Sequence, residues 1–433
     1  MNNKLINFFD FNLHNTNLKK EFTAGLTTFF AVVYIIAVNS SILSDSGMPP
    51  EAAIISTILA SSLGCIIIAF YSNTPLVMIP GMGVNAMFTY TIVNNLGLSW
   101  QSALGTVMMA GIIFTITAFT PLGNILKEAI PDSLKDSISV GIGLLLTVLG
   151  LQKSGLIVLS SSSFGSLGNF SSLNVQISIL IIIIAIILFA KNVPGNFLLT
   201  IVIGTILSIA TGINAVDFSH NFKFSLGNYS EIFMKLSFKD ILTIPFWVGS
   251  LSLAMVLIFS NIGVINAYVN GMLKTPEKYD KSFKANALSA LSCGLLGTSP
   301  TVTAAETAAG IAAGGKTGFT SLTTAILFLL SIPFIPFIKL IPDNAVAPIF
   351  IIIGYLMLQN VSNINFKDVT EGIPAFLTLA VIPFSSDIVN GMAFGFIAYP
   401  ILKLFTGKNS QVKPALYVIA LLFCIYFILK AKF

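Results

Sequence analysis

Apolar segments with the length of a membrane-spanning helix follow one another along almost the whole chain, separated by short polar stretches. A transmembrane helix needs about 20 predominantly apolar residues, with a range of about 17–25. By this criterion the pattern predicts an all-α polytopic membrane protein with about fourteen spans. The predicted spans are 22–43, 52–70, 77–95, 102–121, 134–151, 174–190, 196–213, 246–269, 284–296, 301–315, 317–338, 346–359, 371–385 and 388–405.

A long polar interruption, 214–245, divides the spans into a first set of seven (22–213) and a second set of seven (246–405). The two sets resemble each other weakly, and an odd number of spans gives them opposite topologies, so we predict two inverted repeats. A lead-in (1–21) precedes them and is either solvated or an interfacial amphipathic helix. An apolar tail (406–433) follows them and contains one more segment that either crosses the membrane or lies along it.

Two unusually short segments occupy matching positions in the predicted repeats. They read PGMGVNAMFTYTIV (80–93) in span 3 and SPTVTAAETAAGIAAGG (299–315) in span 10. Short, Gly/Pro-interrupted segments at equivalent positions of inverted repeats are the best sequence indication of a transporter's binding site. We therefore expect short half-helices here, with the site between them.

Composition supports a membrane protein. The chain is 55% hydrophobic and 9% charged, whereas soluble domains average about 25% charged residues. All the basic residues are lysines, and an N-terminus placed inside puts most of them in inner segments, as the positive-inside rule requires. The net charge of +5 therefore reflects membrane orientation, and no nucleic acid is expected as a partner.

The sequence lacks the residue patterns that enzymatic or metal chemistry requires. The two histidines, His14 and His220, lie in polar segments, and the cysteines lie in apolar segments without metal-ligand spacing. No Ser/His/Asp set is evident. We expect a protein that is not an enzyme and that uses no cofactor and no metal.

Glu306 is the central candidate residue, since it is the only charge between Ala285 and Gly315. A carboxylate inside a membrane segment costs about 2.5–3.5 kcal/mol on insertion scales, and such residues usually face a substrate or ion pathway. Close packing of small residues explains the glycines and alanines around it but not the charge. Three neighbouring hydroxyls complete the small polar site predicted in span 10: Thr298, Ser299 and Thr303.

Spans 1, 3 and 8 supply the other candidates. Gly83 permits close backbone approach and Asn85 offers donors and an acceptor, although both also fit a packing seam. The ring of Phe29 can stack on a planar ligand, or it faces lipid or the core. The remaining candidates are Thr28 in span 1 and Phe259, Ser260 and Asn261 in span 8.

These segments resemble the AzgA-like purine permeases of the nucleobase–cation symporter/nucleobase–ascorbate transporter superfamily. The similarity covers about residues 15–405, and its most specific motifs are PGMG-N-A in span 3 and GTSP…E…AAGIAAGG-TG in span 10. The resemblance implies a 7+7 inverted-repeat fold with a core and a gate domain. It also implies uptake of guanine, hypoxanthine or adenine, or a close relative, usually with protons. We expect the protein in a bacterial cytoplasmic membrane, with the N-terminus inside as the lysine distribution indicates.

Carried over to this sequence, the resemblance makes Glu306 the carboxylate that binds the base. It places span 3 at the substrate through Met82, Gly83, Asn85 and Ala86, and span 1 through Thr28 and Phe29.

The sequence departs from the family pattern at two acids. Ser260 stands where members carry an acid in span 8, and Asn286 replaces a second acid in the segment that follows. Neutral groups at these positions can hydrogen-bond a base but cannot titrate. The usual proton coupling and the usual substrate are therefore both in question.

The leading hypothesis is import of a purine nucleobase by symport with a proton or another cation, with Glu306 as the coupling carboxylate. The alternatives are an anion transporter of the same architecture, an uncoupled nucleobase facilitator, and a channel or sensor without turnover. The lipid bilayer is an expected partner, and a homodimer is left open.

Overall fold

The computed structural model describes residues 7–121, 130–160, 163–213 and 226–430. The predictions made for other residues, including the first part of the connecting loop, lie outside the described residues. The helices of the first half are α1 (Leu18–Val32), α2 (Ile35–Ser44), α3 (Pro50–Tyr71), α4 (Met82–Ala86), α5 (Trp100–Phe119), α6 (Asp132–Lys153), α7 (Leu173–Ala190) and α8 (Asn196–Ala210).

The second half and tail add a further set of helices. These are α9 (Ile244–Asn266), α10 (Tyr279–Leu296), α11 (Thr307–Ala312), α12 (Gly318–Leu330), α13 (Ile335–Ile338), α14 (Asp343–Leu358), α15 (Val369–Ser385), α16 (Ile388–Phe405) and α17 (Pro414–Lys430). The π-helical segments Met87–Asn95 and Ala267–Met272 continue α4 and α9. The strands are β1 (Met78–Pro80), β2 (Ile157–Ser160), β3 (Ser163–Leu167) and β4 (Thr301–Thr303).

Polar caps fix where several helices begin. Asn17, Ser99 and Asp387 each accept a hydrogen bond from a backbone N–H in the first turn of α1, α5 and α16. Each such cap stabilises its helix by about 0.5–2 kcal/mol. A turn at Val33 and Tyr34 separates α1 from α2, so the first predicted span is two helices joined at a tyrosine.

The all-helical polytopic class is confirmed. Within the described residues, nine helical stretches are long and apolar enough to cross a membrane by length and composition. They are Leu18–Ser44, Pro50–Tyr71, Trp100–Phe119, Asp132–Lys153, Leu173–Ala190, Ile244–Met272, Gly318–Ile338, Asp343–Asn363 and Ile388–Phe405. Shorter apolar helices cover predicted spans 7 and 13 and the tail.

Predicted spans 3 and 10 each consist of a strand followed by a short helix. β1 and β4 pair antiparallel, with Met78 opposite Thr303 and Pro80 opposite Thr301. The Ala304 N–H donates to the Val77 carbonyl at 2.8 Å and extends the pairing. Since α4 and α11 directly follow their strands, the two half-helices begin beside each other in the middle of the fold.

The helices pack in two groups. The core group contains α1–α5 and α9–α12, in which α10 packs on α3 and α5, and α12 packs on α1 and α3. The gate group contains α6–α8 and α14–α16, in which α6 packs on both α14 and α15. The two groups touch where α4 meets α6 and where α1 meets α8.

Contacts between loops show which loops share an end of the molecule. At one end, named the inner end, Lys278 Nζ lies 3.0 Å from His14 Nε2, and Lys316 Nζ donates to the His14 carbonyl. Burial and the neighbouring Lys278 ammonium lower the pKa of His14 below its ordinary value. At the other end, the outer end, Lys153 Nζ lies 3.1 Å from Asp45 and 3.0 Å from Asp343.

The described part of the lead-in packs on the core group at the inner end. Phe9 and Phe11 are fully buried and contact Phe319 of α12 edge to face. Glu21 is also fully buried and accepts hydrogen bonds from the backbone N–H groups of Lys316 and Thr317. The segment is therefore neither simply solvated nor simply interfacial, since two of its aromatic side chains belong to a protein core.

Candidate functional site

A cavity of ≈ 540 Å³ lies between the core group and the gate group, beside the paired strands β1 and β4. Its size is within the range of about 300–1,000 Å³ typical of small-molecule sites. Six of the residues predicted from the sequence line it: Met82, Gly83, Phe259, Ser260, Thr303 and Glu306.

Glu306 stands at the junction of β4 and α11, where the chain leaves the strand pairing. Tyr34 Oη donates to Glu306 Oε1 at 2.6 Å, a length typical of a hydrogen bond to a carboxylate. Tyr268 Oη donates to the carbonyl of the preceding residue, Ala305, at 2.6 Å. An ionised carboxylate has about four acceptor positions, so Glu306 retains acceptors for a ligand in the cavity.

Tyr34 is a functional candidate that the sequence reasoning missed. It lies in the turn between α1 and α2, lines the cavity, and is only 3% exposed. Its ring packs edge to face on Phe197 of α8, with the ring centroids 4.8 Å apart. Tyr34 therefore connects the carboxylate of the core group to a helix of the gate group. A hydroxyl in the middle of an apolar span is the only sequence signal for this role.

Asn85 lies off the cavity wall and is fully buried. Its Oδ1 accepts from Ser299 Oγ at 2.6 Å, and Ser299 Oγ lies 3.2 Å from Asn39 Oδ1. Asn39 in turn donates to Thr298 at 3.2 Å. These neutral side chains join α2, α4 and the segment before β4, so the structure gives them a role in holding the half-helices together. A direct contact with substrate stays a prediction for Asn85, Thr298 and Ser299.

Asn261 also lies behind the cavity, in a second neutral network. Its Oδ1 accepts from Asn286 Nδ2 at 2.6 Å and from the Thr303 N–H at 3.0 Å. Asn286 Nδ2 donates to Thr303 Oγ1 as well, at 2.9 Å. Asn286, the position where the resemblance expected an acid, therefore fixes β4 through amide hydrogen bonds, while Ser260 faces the cavity.

The candidates of span 1 and Ala86 are placed away from the cavity lining. Thr28 donates to the Ala24 carbonyl and packs against Gly310 of α11. Phe29 packs edge to face on Phe328 of α12. Ala86 is fully buried on α4. Their predicted substrate contacts stay predictions, and the observed contacts are with the core group.

The gate group contributes polar residues that the sequence reasoning did not select. Lys135, Asp136 and Ser139 line the cavity from the first turns of α6, and Asn360 lines it from beyond α14. Asn360 Nδ2 donates to Ser139 Oγ at 2.9 Å. The available signal was the pair of charges at the start of the fifth predicted span. Among the described residues there is no group of three or more His, Cys, Asp or Glu able to hold a metal ion.

Comparisons with known proteins agree with this architecture. The nucleobase transporter PlAzg2 of Paenibacillus larvae is 44% identical over 390 residues, covering 88% of this chain and 76% of the relative. The guanine/hypoxanthine permease PbuO of Bacillus subtilis is 35% identical, covering 95% of this chain and 97% of the relative.

The fold is shared with a more distant solved structure, the transmembrane domain of the cyanobacterial bicarbonate transporter BicA. It has a TM-score of 0.67 and 18% identity, covering 87% of this chain and 97% of that one. The model of the permease family Xan_ur_permease matches residues 19–393. The chain therefore belongs to this permease family, and the resemblance drawn from its motifs is confirmed.

Proposed function

We propose that this protein is a secondary active transporter that imports a purine nucleobase by proton symport, with Glu306 as the carboxylate that binds the base. One observation carries the proposal: Glu306 faces the cavity between the two helix groups, held by Tyr34 at the junction of β4 and α11. Two relatives, a nucleobase transporter at 44% identity and a guanine/hypoxanthine permease at 35% identity, support a purine nucleobase as the substrate. We place the protein in a bacterial cytoplasmic membrane with the inner end in the cytoplasm.

The chemistry of the site follows from the acceptor character of a carboxylate. Glu306 accepts hydrogen bonds from the ring N–H and exocyclic NH₂ groups of a purine, while the ring of Phe259 and the small residues of α4 give it an apolar surface. If Glu306 carries one proton inward with each base, a membrane potential of 100 mV supplies about 2.3 kcal/mol. That energy corresponds to an accumulation of about fiftyfold.

The test is uptake of labelled guanine, hypoxanthine and adenine in a strain without its own purine uptake. Glu306→Gln keeps the shape of the side chain but cannot titrate, so we expect loss of accumulation against a gradient. Asp280→Asn is the matched control, because Asp280 is a surface carboxylate paired with Lys284. Full proton-coupled uptake by Glu306→Gln would refute the coupling role.

A second candidate, an uncoupled nucleobase facilitator, is favoured by the neutral groups at Ser260 and Asn286. The amide network of Asn286 contains no titratable member. A protonophore separates the two candidates, since it abolishes accumulation by a symporter and leaves the initial rate of a facilitator unchanged. Counterflow in proteoliposomes excludes a channel or a sensor that does not turn over.

An anion transporter of the same fold is the remaining alternative. The fold shared with a bicarbonate transporter suggests this alternative, but a sequence identity of 18% supports only the common fold. The described lining contains two carboxylates, Glu306 and Asp136, against one ammonium, Lys135, and the chain has no arginine. Both features disfavour an anionic substrate. Competition of labelled purine uptake by sulfate or bicarbonate, rather than by unlabelled guanine, would support the anion transporter.

A further inference from the structure

Asp136 is a carboxylate of the cavity that belongs to the gate group rather than the core group. It lies in the first turns of α6, one helical turn before Ser139, so the two side chains project from the same face of the helix. Both residues line the cavity that Glu306 lines from the opposite group, and both are half-buried. The space between the two helix groups is therefore bounded by an acceptor on each side.

Asp136 lines the cavity among polar neighbours. Lys135 Nζ lies 2.9 Å from Asp132 and 5.7 Å from the centroid of the Phe259 ring, and its positive charge also acts on Asp136. The Asn363 side chain forms a hydrogen bond with the Asp136 carboxylate, which has about four acceptor positions and so keeps others for a ligand. Ser139 already accepts a hydrogen bond from Asn360. Among the cavity-lining residues that the structure describes, Asp136 is thus the carboxylate of the gate group.

We propose that Asp136 binds the edge of the nucleobase opposite the edge held by Glu306, so that the base joins the gate group to the core group. This inference rests on the proposed function. It replaces the expectation that all substrate contacts come from spans 1, 3, 8 and 10. It also assigns a second acid to a site in which Ser260 is neutral.

The proposal defines the chemistry of the preferred substrate. An ionised carboxylate accepts hydrogen bonds and donates none, and a carboxyl group that carries the coupled proton still keeps an acceptor oxygen, so these two groups on opposite walls favour a ligand with an N–H donor at each end. Guanine and hypoxanthine carry an N–H on the six-membered ring and another on the five-membered ring. Methylation of either nitrogen removes one donor and leaves the rest of the ligand in place.

The experiment is calorimetric binding to the purified full-length protein in detergent, with guanine, 1-methylguanine and 9-methylguanine as probes. The unsubstituted protein should bind guanine at least tenfold more tightly than either methylated analogue. Asp136→Asn should weaken guanine binding about tenfold to a hundredfold, because a hydrogen bond to a charged group is lost. The same variant should no longer discriminate against one of the two analogues.

Asp280→Asn is the control, since it removes a surface carboxylate that is paired with Lys284 outside the cavity lining. It should bind guanine as the unsubstituted protein does. The inference is overturned if Asp136→Asn keeps both its affinity and its analogue profile while Glu306→Gln loses binding, which leaves the proposed function standing. If the unsubstituted protein binds no purine at all, the proposed function fails and the inference fails with it.

The analogue profile of the unsubstituted protein tests the inference even if Asp136→Asn does not fold. Equal affinity for guanine and for one of its methylated forms would mean that only one edge of the base meets a carboxylate. That outcome also overturns the inference. Asp136→Glu, which keeps the charge, should retain discrimination against both analogues.

Discussion

Replacing Tyr34 with phenylalanine removes one hydroxyl group from the cavity wall and leaves the aromatic ring in place. The hydroxyl donates to Glu306 Oε1 at 2.6 Å, and the ring packs on Phe197 at 4.8 Å. The substitution therefore separates the two contacts of Tyr34. It removes the hydrogen bond that orients the carboxylate and keeps the packing that joins the core group to the gate group.

The expected magnitude follows from the hydrogen bond that is lost. A hydrogen bond to a charged group contributes about 1.5–3 kcal/mol. In the empty protein, water in the cavity replaces part of this stabilisation, because Glu306 is itself only half-buried. A bound base excludes that water, so Tyr34→Phe loses more hydrogen-bond energy in the complex than in the empty protein. The affinity falls by the difference between these two losses. We therefore expect the lower end of the range, about 1.5 kcal/mol, or about a tenfold weaker affinity for guanine.

The assay is calorimetric binding of guanine to the purified variant, together with the concentration dependence of uptake in cells. Tyr229→Phe is the matched control, because its hydroxyl donates to the Leu296 carbonyl at 3.0 Å and the residue does not line the cavity. The reasoning is refuted if Tyr34→Phe binds guanine within twofold of the unsubstituted protein. An equal loss in Tyr229→Phe would also refute it, since the effect would then not be specific to the carboxylate.

Two further predictions concern the packing of the half-helix and the closure of the outer end. Gly310→Ala should lower the thermal unfolding temperature in detergent, because its Cβ would lie 2.0 Å from Thr28 Oγ1 and overpacking costs about 1–3 kcal/mol. Adding Thr28→Ala should restore most of the loss, and an unchanged unfolding temperature in Gly310→Ala would contradict the packing. Lys153→Met removes the ammonium that joins α6 to the two outer-end carboxylates. In a protein that carries Ser260→Cys and in which Cys424 has been replaced, Lys153→Met should increase labelling by an external maleimide severalfold. Unchanged labelling would exclude a role for this ion cluster in closing the outer end.

Some of the site was predictable because the signal is local. Glu306 can be identified without knowledge of the fold because it is a single carboxylate in an apolar, glycine-rich segment. Placing a charge there is costly, and such residues usually face a substrate or ion pathway. Met82, Gly83 and Thr303 were predicted from the two short segments that contain the paired strands β1 and β4. The structure places all of them on the cavity wall.

Other predicted residues belong to packing networks that a sequence cannot separate from a binding site. Asn85 and Asn261 are amides in apolar spans, and an amide can equally well bind a ligand or a neighbouring helix. The structure gives both of them hydrogen-bond partners within the core group. Thr28 packs on Gly310 for the same reason, since small residues allow two helices to approach closely.

The sequence by itself determined the membrane class, the two half-helices and the carboxylate between them, because hydrophobic length and the cost of a buried charge are properties of short segments. Only the tertiary structure decided which side chains share the cavity. Tyr34 lies in the turn after α1 and Asp136 lies in α6, both remote from Glu306 in sequence, and the three line one cavity only because α1, α6 and β4 converge. That convergence depends on packing between distant helices, which no local pattern of polar and apolar residues specifies.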